Sequence, residues 1–127
     1  MSGIWRHAAL FDGLDRPELT LGEGDTPLES LDALARELGL GSLQLKREDR
    51  NPGGSHKDRG LLYQVAAHPG TGSTLVISSS GNAATSAAAA CRAAGHRLIA
   101  FVSPDTSPAK LARIEAAGGL LLSCPKP

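Results

Sequence analysis

From residue 73 onward the chain alternates between short apolar runs and helix-coded stretches, and this alternation constrains the fold most. Leu75-Val76-Ile77 is an apolar run bounded by polar residues, which predicts a short buried strand. Ser78-Ser79-Ser80-Gly81 forms a turn, and an alanine-rich helix is expected from Asn82 to Ala94, ended by Gly95. Leu98–Val102 reads as a second buried strand. Ser107 is placed to cap a further helix with Pro108 at its first position, Leu111, Ile114 and Ala117 on one face, and Gly118 at its end. Leu120-Leu121-Leu122 begins a third strand. Strand, helix, strand, helix, strand with short connections is the pattern of a parallel α/β unit with flanking helices. In such sheets ligands bind beyond the carboxyl ends of the strands, which puts the Ser78–Asn82 turn at a binding edge. The small residues Ala83, Ala84, Ala87, Ala88 and Cys91 predict that the Asn82 helix lies close to its neighbours.

Upstream the signals are weaker. Leu31, Leu34 and Leu38 recur at helical spacing, so a helix is expected over Ser30–Gly39, with Ser30 as its cap. Ser42–Lys46 alternates in polarity and predicts a short strand, followed by an Arg-Asn-Pro-Gly-Gly-Ser loop and a helix from His56 to about Ala67. The expected organisation is one partial domain over residues 1–127, with an N-terminal segment at 1–42 and the lysine-bearing unit at 43–127. Gly70 and Gly72 precede a strand rather than a helix, so they read as a plain loop and not a phosphate cradle.

Composition closes off several classes. With 41% hydrophobic and 20% charged residues the chain is globular, and with only 3% aromatics its core has to be built from Ala, Leu, Val and Ile. Basic and acidic residues both number 13, which leaves no net field to draw in nucleic acid or anionic lipid. No apolar run approaches the ~20 residues of a membrane span, and the start lacks the apolar stretch of a secretory signal. Cys91 and Cys124 lack metal-site or disulfide spacing and read as two reduced thiols of a cytoplasmic protein.

Two segments carry chemistry. The first is Leu45-Lys46-Arg47-Glu48-Asp49-Arg50-Asn51-Pro52-Gly53-Gly54-Ser55-His56-Lys57-Asp58-Arg59-Gly60. Asn-Pro-Gly-Gly reverses the chain and delivers Ser55, His56 and Lys57 to the opening of a helix. A partly shielded lysine beside positive helix-end dipoles is biased toward its neutral, nucleophilic amine, and the same helix start offers N–H groups to a phosphate. The second is Ser78-Ser79-Ser80-Gly81-Asn82, whose small residues expose backbone N–H groups at a strand-to-helix turn suited to a carboxylate. Either segment is also compatible with a solvated lysine and a helix-capping serine turn. On residues alone the reading is an anion-binding α/β domain with a candidate reactive lysine.

The first segment resembles the lysine motif of pyridoxal-phosphate (PLP) enzymes of the tryptophan-synthase-β structural type, written Asn-Pro-Thr-Gly-Ser-Phe-Lys-Asp-Arg-Gly in threonine synthases. The second is similar to their Ser-Ser-Gly-Asn motif, and Leu21-Gly22-Glu23-Gly24-Asp25-Thr26-Pro27-Leu28 to their Gly-Glu-Gly-Asn-Thr-Pro-Leu stretch. The motifs occur in the family's order, and the similarity runs from about residue 20 to 119. The resemblance implies that Lys57 carries the Schiff base to PLP and moves protons at the substrate Cα. It implies that Asn82 bonds the cofactor's ring hydroxyl, and that Ser79, Ser80, Gly81 and Asn82 face an amino-acid substrate, the first three holding its carboxylate. Gly53 departs from the family's Thr. His56 replaces its Phe and looks more like tryptophan synthase β chains, which leaves it either facing the cofactor phosphate or packed or solvated. Family members are typically more than twice this long, with their glycine-rich phosphate loop downstream. The expectation is therefore a threonine-synthase-like enzyme part, acting on amino acids by elimination or replacement when another chain or a second copy completes the sheet. The alternative is a non-catalytic, truncated homologue that serves as an interaction module or has no independent function.

Overall fold

In the computed structural model, which describes residues 3–125, a 3₁₀ helix over Gly3–Leu10 opens the chain. It is followed by β1 (Leu28–Ser30), α1 (Asp32–Glu37) and β2 (Gln44–Lys46). Then come α2 (Lys57–Ala66), β3 (Thr74–Ser78), α3 (Asn82–Ala93), β4 (Arg97–Val102), α4 (Pro108–Ala116) and β5 (Gly119–Ser123). The last five elements form the expected α/β unit: a parallel sheet in the order β3-β4-β5, with Val76 paired to Ile99 and Ile99 to Leu120.

The strand alternation sets the two faces of this sheet apart. Leu98, Ala100 and Val102 of β4 are buried and pack with the helices, joined by Leu75, Ile77 and Leu121 from the flanking strands. Against them lies α3, whose Ala84, Ala87, Ala88, Ala90 and Cys91 are buried while Ala83 is half-buried. Small side chains let the helix approach closely. A Cβ added at Gly119 would lie 2.7 Å from Ile114 Cγ2 and 3.3 Å from Ala88 Cβ, so β5 begins on a residue that has none. The opposite face is bare: Val76 is 65%, Leu120 59% and Leu122 49% exposed. Parallel sheets ordinarily cover both faces.

The N-terminal half departs from the sequence reading. Ser30 does not cap α1; it ends β1, which runs antiparallel to β2 with Ser30 opposite Gln44. The helix starts after Leu31 without a side-chain cap, and of its stripe Leu34 and Leu38 remain 42% and 58% exposed while Ala35 is buried. The leucine periodicity marked a helix correctly but not a buried face. Ser107 does occupy the position before α4, again without a side-chain cap bond; its carbonyl accepts from the Lys110 and Leu111 amides. Trp5 is 1% exposed, donates its indole N–H to the Leu19 carbonyl at 2.6 Å, and meets Phe11 edge-on. Phe11 in turn stacks on Tyr63 of α2 at 4.9 Å, so the first residues are packed onto the lysine helix.

Candidate active site

The lysine turn is built on a network of buried polar groups. Asn51 is 4% exposed, and its side-chain N–H groups donate to the Glu48 carbonyl and carboxylate while its Oδ1 accepts from the Gly24 amide, each at 2.9 Å. This joins the Asn-Pro-Gly-Gly turn to the Gly-Glu-Gly stretch, two motifs far apart in sequence. Gly54, at φ +76°, makes the reversal, and its amide returns to the Asn51 carbonyl at 2.8 Å. Ser55 is buried and accepts the Lys57 amide on its hydroxyl at 3.3 Å, which satisfies a donor at the helix start.

Behind this turn Glu48 grips Arg59 with both oxygens, at 2.8 and 2.9 Å, and also accepts from the Thr26 hydroxyl at 2.6 Å. The Arg59 guanidinium above all, helped by Thr26 and Asn51 against the cost of burial, holds the Glu48 carboxyl well down, to about 2 from an ordinary 4.5. Because the folded value lies below the unfolded one, this pair contributes stability above about pH 4.5 and loses it as pH falls toward about 2. Urea midpoints measured across that window should fall more steeply for the wild type than for Glu48→Gln. Equal slopes would remove Glu48 from the acid response.

Lys57 itself is exposed, not partly shielded as expected: among the described residues no element covers it. His56 is exposed too and packs against none of them. Lys46 is not ion-paired as its acidic neighbours imply. Arg47 takes Glu29 and Asp49, Arg59 takes Glu48, and the Lys46 ammonium donates to the Thr26 carbonyl instead.

The second motif sits where the sheet pattern predicts. The Ser79 amide extends the ladder to the Phe101 carbonyl at 3.2 Å, and its hydroxyl accepts from the Gly81 amide at 3.3 Å. Two of the N–H groups expected to face a ligand are thus engaged internally. Gly81, not Asn82, occupies the cap position of α3, and Asn82 is its exposed first residue. Among the described residues the Ser80 hydroxyl and the Asn82 amide make no hydrogen bond to protein. An open cleft of about 340 Å³ at the strand ends is lined by Ser79 and Ser80 together with Ser103, Cys124 and the ends of β3 and β4. Lys57, His56 and Asn82 do not line it.

What ties the two motifs is a residue the sequence reading passed over. Asp58 is 1% exposed at the start of α2, and its carboxylate accepts from the Ser86 hydroxyl, one turn into α3, and from the Gly53 amide at 2.6 Å. The signal available was an acidic residue next to Lys57 on the helix face that carries Leu62 and Val65, four and seven residues on. Glu23 was missed likewise: it is 1% exposed and accepts from the Ile4 and Leu21 amides and the Thr20 hydroxyl.

Comparison with known proteins places this arrangement. Residues 19–126 match the family described as pyridoxal-phosphate dependent enzyme. The chain is 44% identical over 89 residues to a threonine synthase of Halalkalibacterium halodurans, covering 69% of this chain and 25% of that protein. It is 36% identical over 112 residues to cysteine synthase 1 of Emericella nidulans, covering 84% of this chain and 30% of that protein. Among solved structures, an O-ureido-L-serine synthase superposes with a TM-score of 0.71 at 34% identity, over 80% of this chain and 33% of that one. The chain thus spans a quarter to a third of the length of these relatives. The α/β architecture, the three ordered motifs and the family match over residues 19–126 agree: this chain belongs to the pyridoxal-phosphate dependent enzyme family.

Proposed function

We propose that this chain supplies the lysine-bearing part of a cytoplasmic, threonine-synthase-like PLP lyase, acting on an amino acid by elimination or replacement with Lys57 as the cofactor lysine. The observation that supports this best is the Asp58–Ser86 bond, which ties the start of the lysine helix to the helix that opens at Asn82. The residues fit such a cofactor. An exposed amine at Lys57 and a side-chain amide at Asn82 without a partner among the described residues stand at the starts of two packed helices, whose dipoles favour an anion.

When bound, PLP supplies an electron-accepting ring. Lys57 would hold the cofactor and would take and return the proton at the substrate Cα. Asn82 would offer its side-chain amide to the ring hydroxyl, and His56, exposed one residue before Lys57, would be available to the cofactor phosphate. Ser79, Ser80 and Gly81 receive the substrate carboxylate, which takes the place of the internal Ser79–Gly81 bond. The exposed Val76, Leu120 and Leu122 face is the docking surface for a further polypeptide that completes the sheet's second layer.

A second reading, a non-catalytic interaction module, is favoured by that same apolar face and by the exposure of Lys57. The two separate in one experiment: titrate PLP into the chain alone and into its mixture with an adjacently encoded polypeptide carrying a glycine-rich loop, following visible absorption and mass by light scattering. The enzyme reading expects a complex and a visible cofactor band in the mixture. A complex without a band supports the module, and a stable monomer without a band contradicts both.

A further inference from the structure

Gly53 stands where threonine synthases have Thr, and in this chain the Asp58 carboxylate fills the space next to it. An ideal Cβ at this position would lie 2.4 Å from Asp58 Oδ1 and 3.0 Å from Oδ2. The Asp58 carboxylate therefore occupies the space of a side chain, and from there it accepts the Gly53 amide at 2.6 Å. On the other side of the same residue, Arg113 Nη2 donates to the Gly53 carbonyl at 3.0 Å across 60 positions of sequence. The base of Arg113 is held firmly. Its neighbour Ile114 is fully buried in the cluster containing Ala84, Ala100 and Val102, and Ala84 lies two residues beyond Asn82.

We infer that Arg113 and Asp58 are positioning residues for Lys57: they grip Gly53 at its carbonyl and its amide and so hold the lysine turn at a fixed place relative to the layer that carries the Ser79–Asn82 turn. The inference rests on the reading of Lys57 as the cofactor lysine. Without the grip at Gly53, the turn is anchored at Asn51 before it and at Ser55 after it, and its apex is closed only by its own Gly54–Asn51 bond. Both contacts are charge-assisted and so stronger than neutral ones, and the Arg113 contact is the one that can be removed without opening a buried site.

The test uses the full chain as wild type, Arg113→Met, Arg113→Lys and Gly53→Ala. Amide hydrogen exchange is followed by mass spectrometry in a peptide spanning residues 51–57 and in one from α4. In parallel, Lys57 is labelled with PLP and borohydride in the mixture with the adjacently encoded polypeptide. Arg113→Met is expected to speed exchange at 51–57 about tenfold, as loss of a charged hydrogen bond predicts, while α4 keeps its protection. Arg113→Lys, which keeps a cationic donor, should recover part of that protection. Gly53→Ala should loosen the turn as well, since its methyl displaces Asp58. Labelling of Lys57 should slow in step with the loosening, with labelling of Lys46 unchanged. Unchanged exchange at 51–57 in Arg113→Met, or equal loss of protection in α4, overturns the inference. Faster exchange with no labelling of Lys57 even in the wild type upholds the grip and counts against Lys57 as the cofactor lysine.

Discussion

Replacing Asp58 by alanine is expected to destabilise the chain by about 3 kcal/mol, because a buried donor and a part-buried one lose their acceptor together. The Gly53 amide and the Ser86 hydroxyl both end on this carboxylate, and Ser86 is itself 1% exposed, so water does not reach it freely. Each donor left unsatisfied costs roughly 1–3 kcal/mol, partly offset by relief from holding a carboxylate out of water. The cavity left at the α2–α3 contact adds to the loss. Asp58→Asn keeps the volume and one acceptor oxygen and should cost less, about 1 kcal/mol. Urea unfolding of the two variants against the wild type measures this. A loss below ~1 kcal/mol for the alanine variant would mean that the two helices are held by apolar packing alone.

The parallel unit was legible in the sequence because each of its elements is marked at both ends. Gly95 and Gly118 stop helices, Pro108 starts one, and the apolar runs between them have strand length. The crowding of alanines in α3 also announced the close approach that the Gly119 contact demonstrates. The antiparallel β1–β2 pair was not legible, since three-residue strands leave too short an alternation to read and their pairing joins residues 14 to 18 apart. Ser30 illustrates the competition: a good capping residue was taken up by a ladder that sequence periodicity does not reveal.

At the candidate site the motif positions were readable and their supporting contacts were not. Lys57, Asn82 and Ser79–Gly81 stand where their turns predict. Arg113 lies 60 positions from the glycine it contacts, and its sequence setting marks only an ordinary helix end. Lys46 shows the same limit from the other side. Glu48 and Asp49 lie beside it in sequence, yet each is matched to an arginine, Arg59 and Arg47. Charge proximity along a chain predicts pairing poorly where the backbone reverses within a few residues.

Replacing Lys57 is expected to have the largest effect of any substitution on the chemistry, because only this side chain both follows the Asn-Pro-Gly-Gly turn and presents an exposed amine at a helix start. Lys46 is the informative control: its ammonium donates to the Thr26 carbonyl, and a protonated, hydrogen-bonded amine is a poor nucleophile. The most direct measurement is to add PLP to the chain, alone and with the proposed adjacently encoded polypeptide, reduce with borohydride, and map the modified peptide by mass spectrometry. The label is expected on Lys57, with complete loss in Lys57→Ala and persistence in Lys46→Ala. A label on Lys46, or one scattered over the surface lysines, would contradict it.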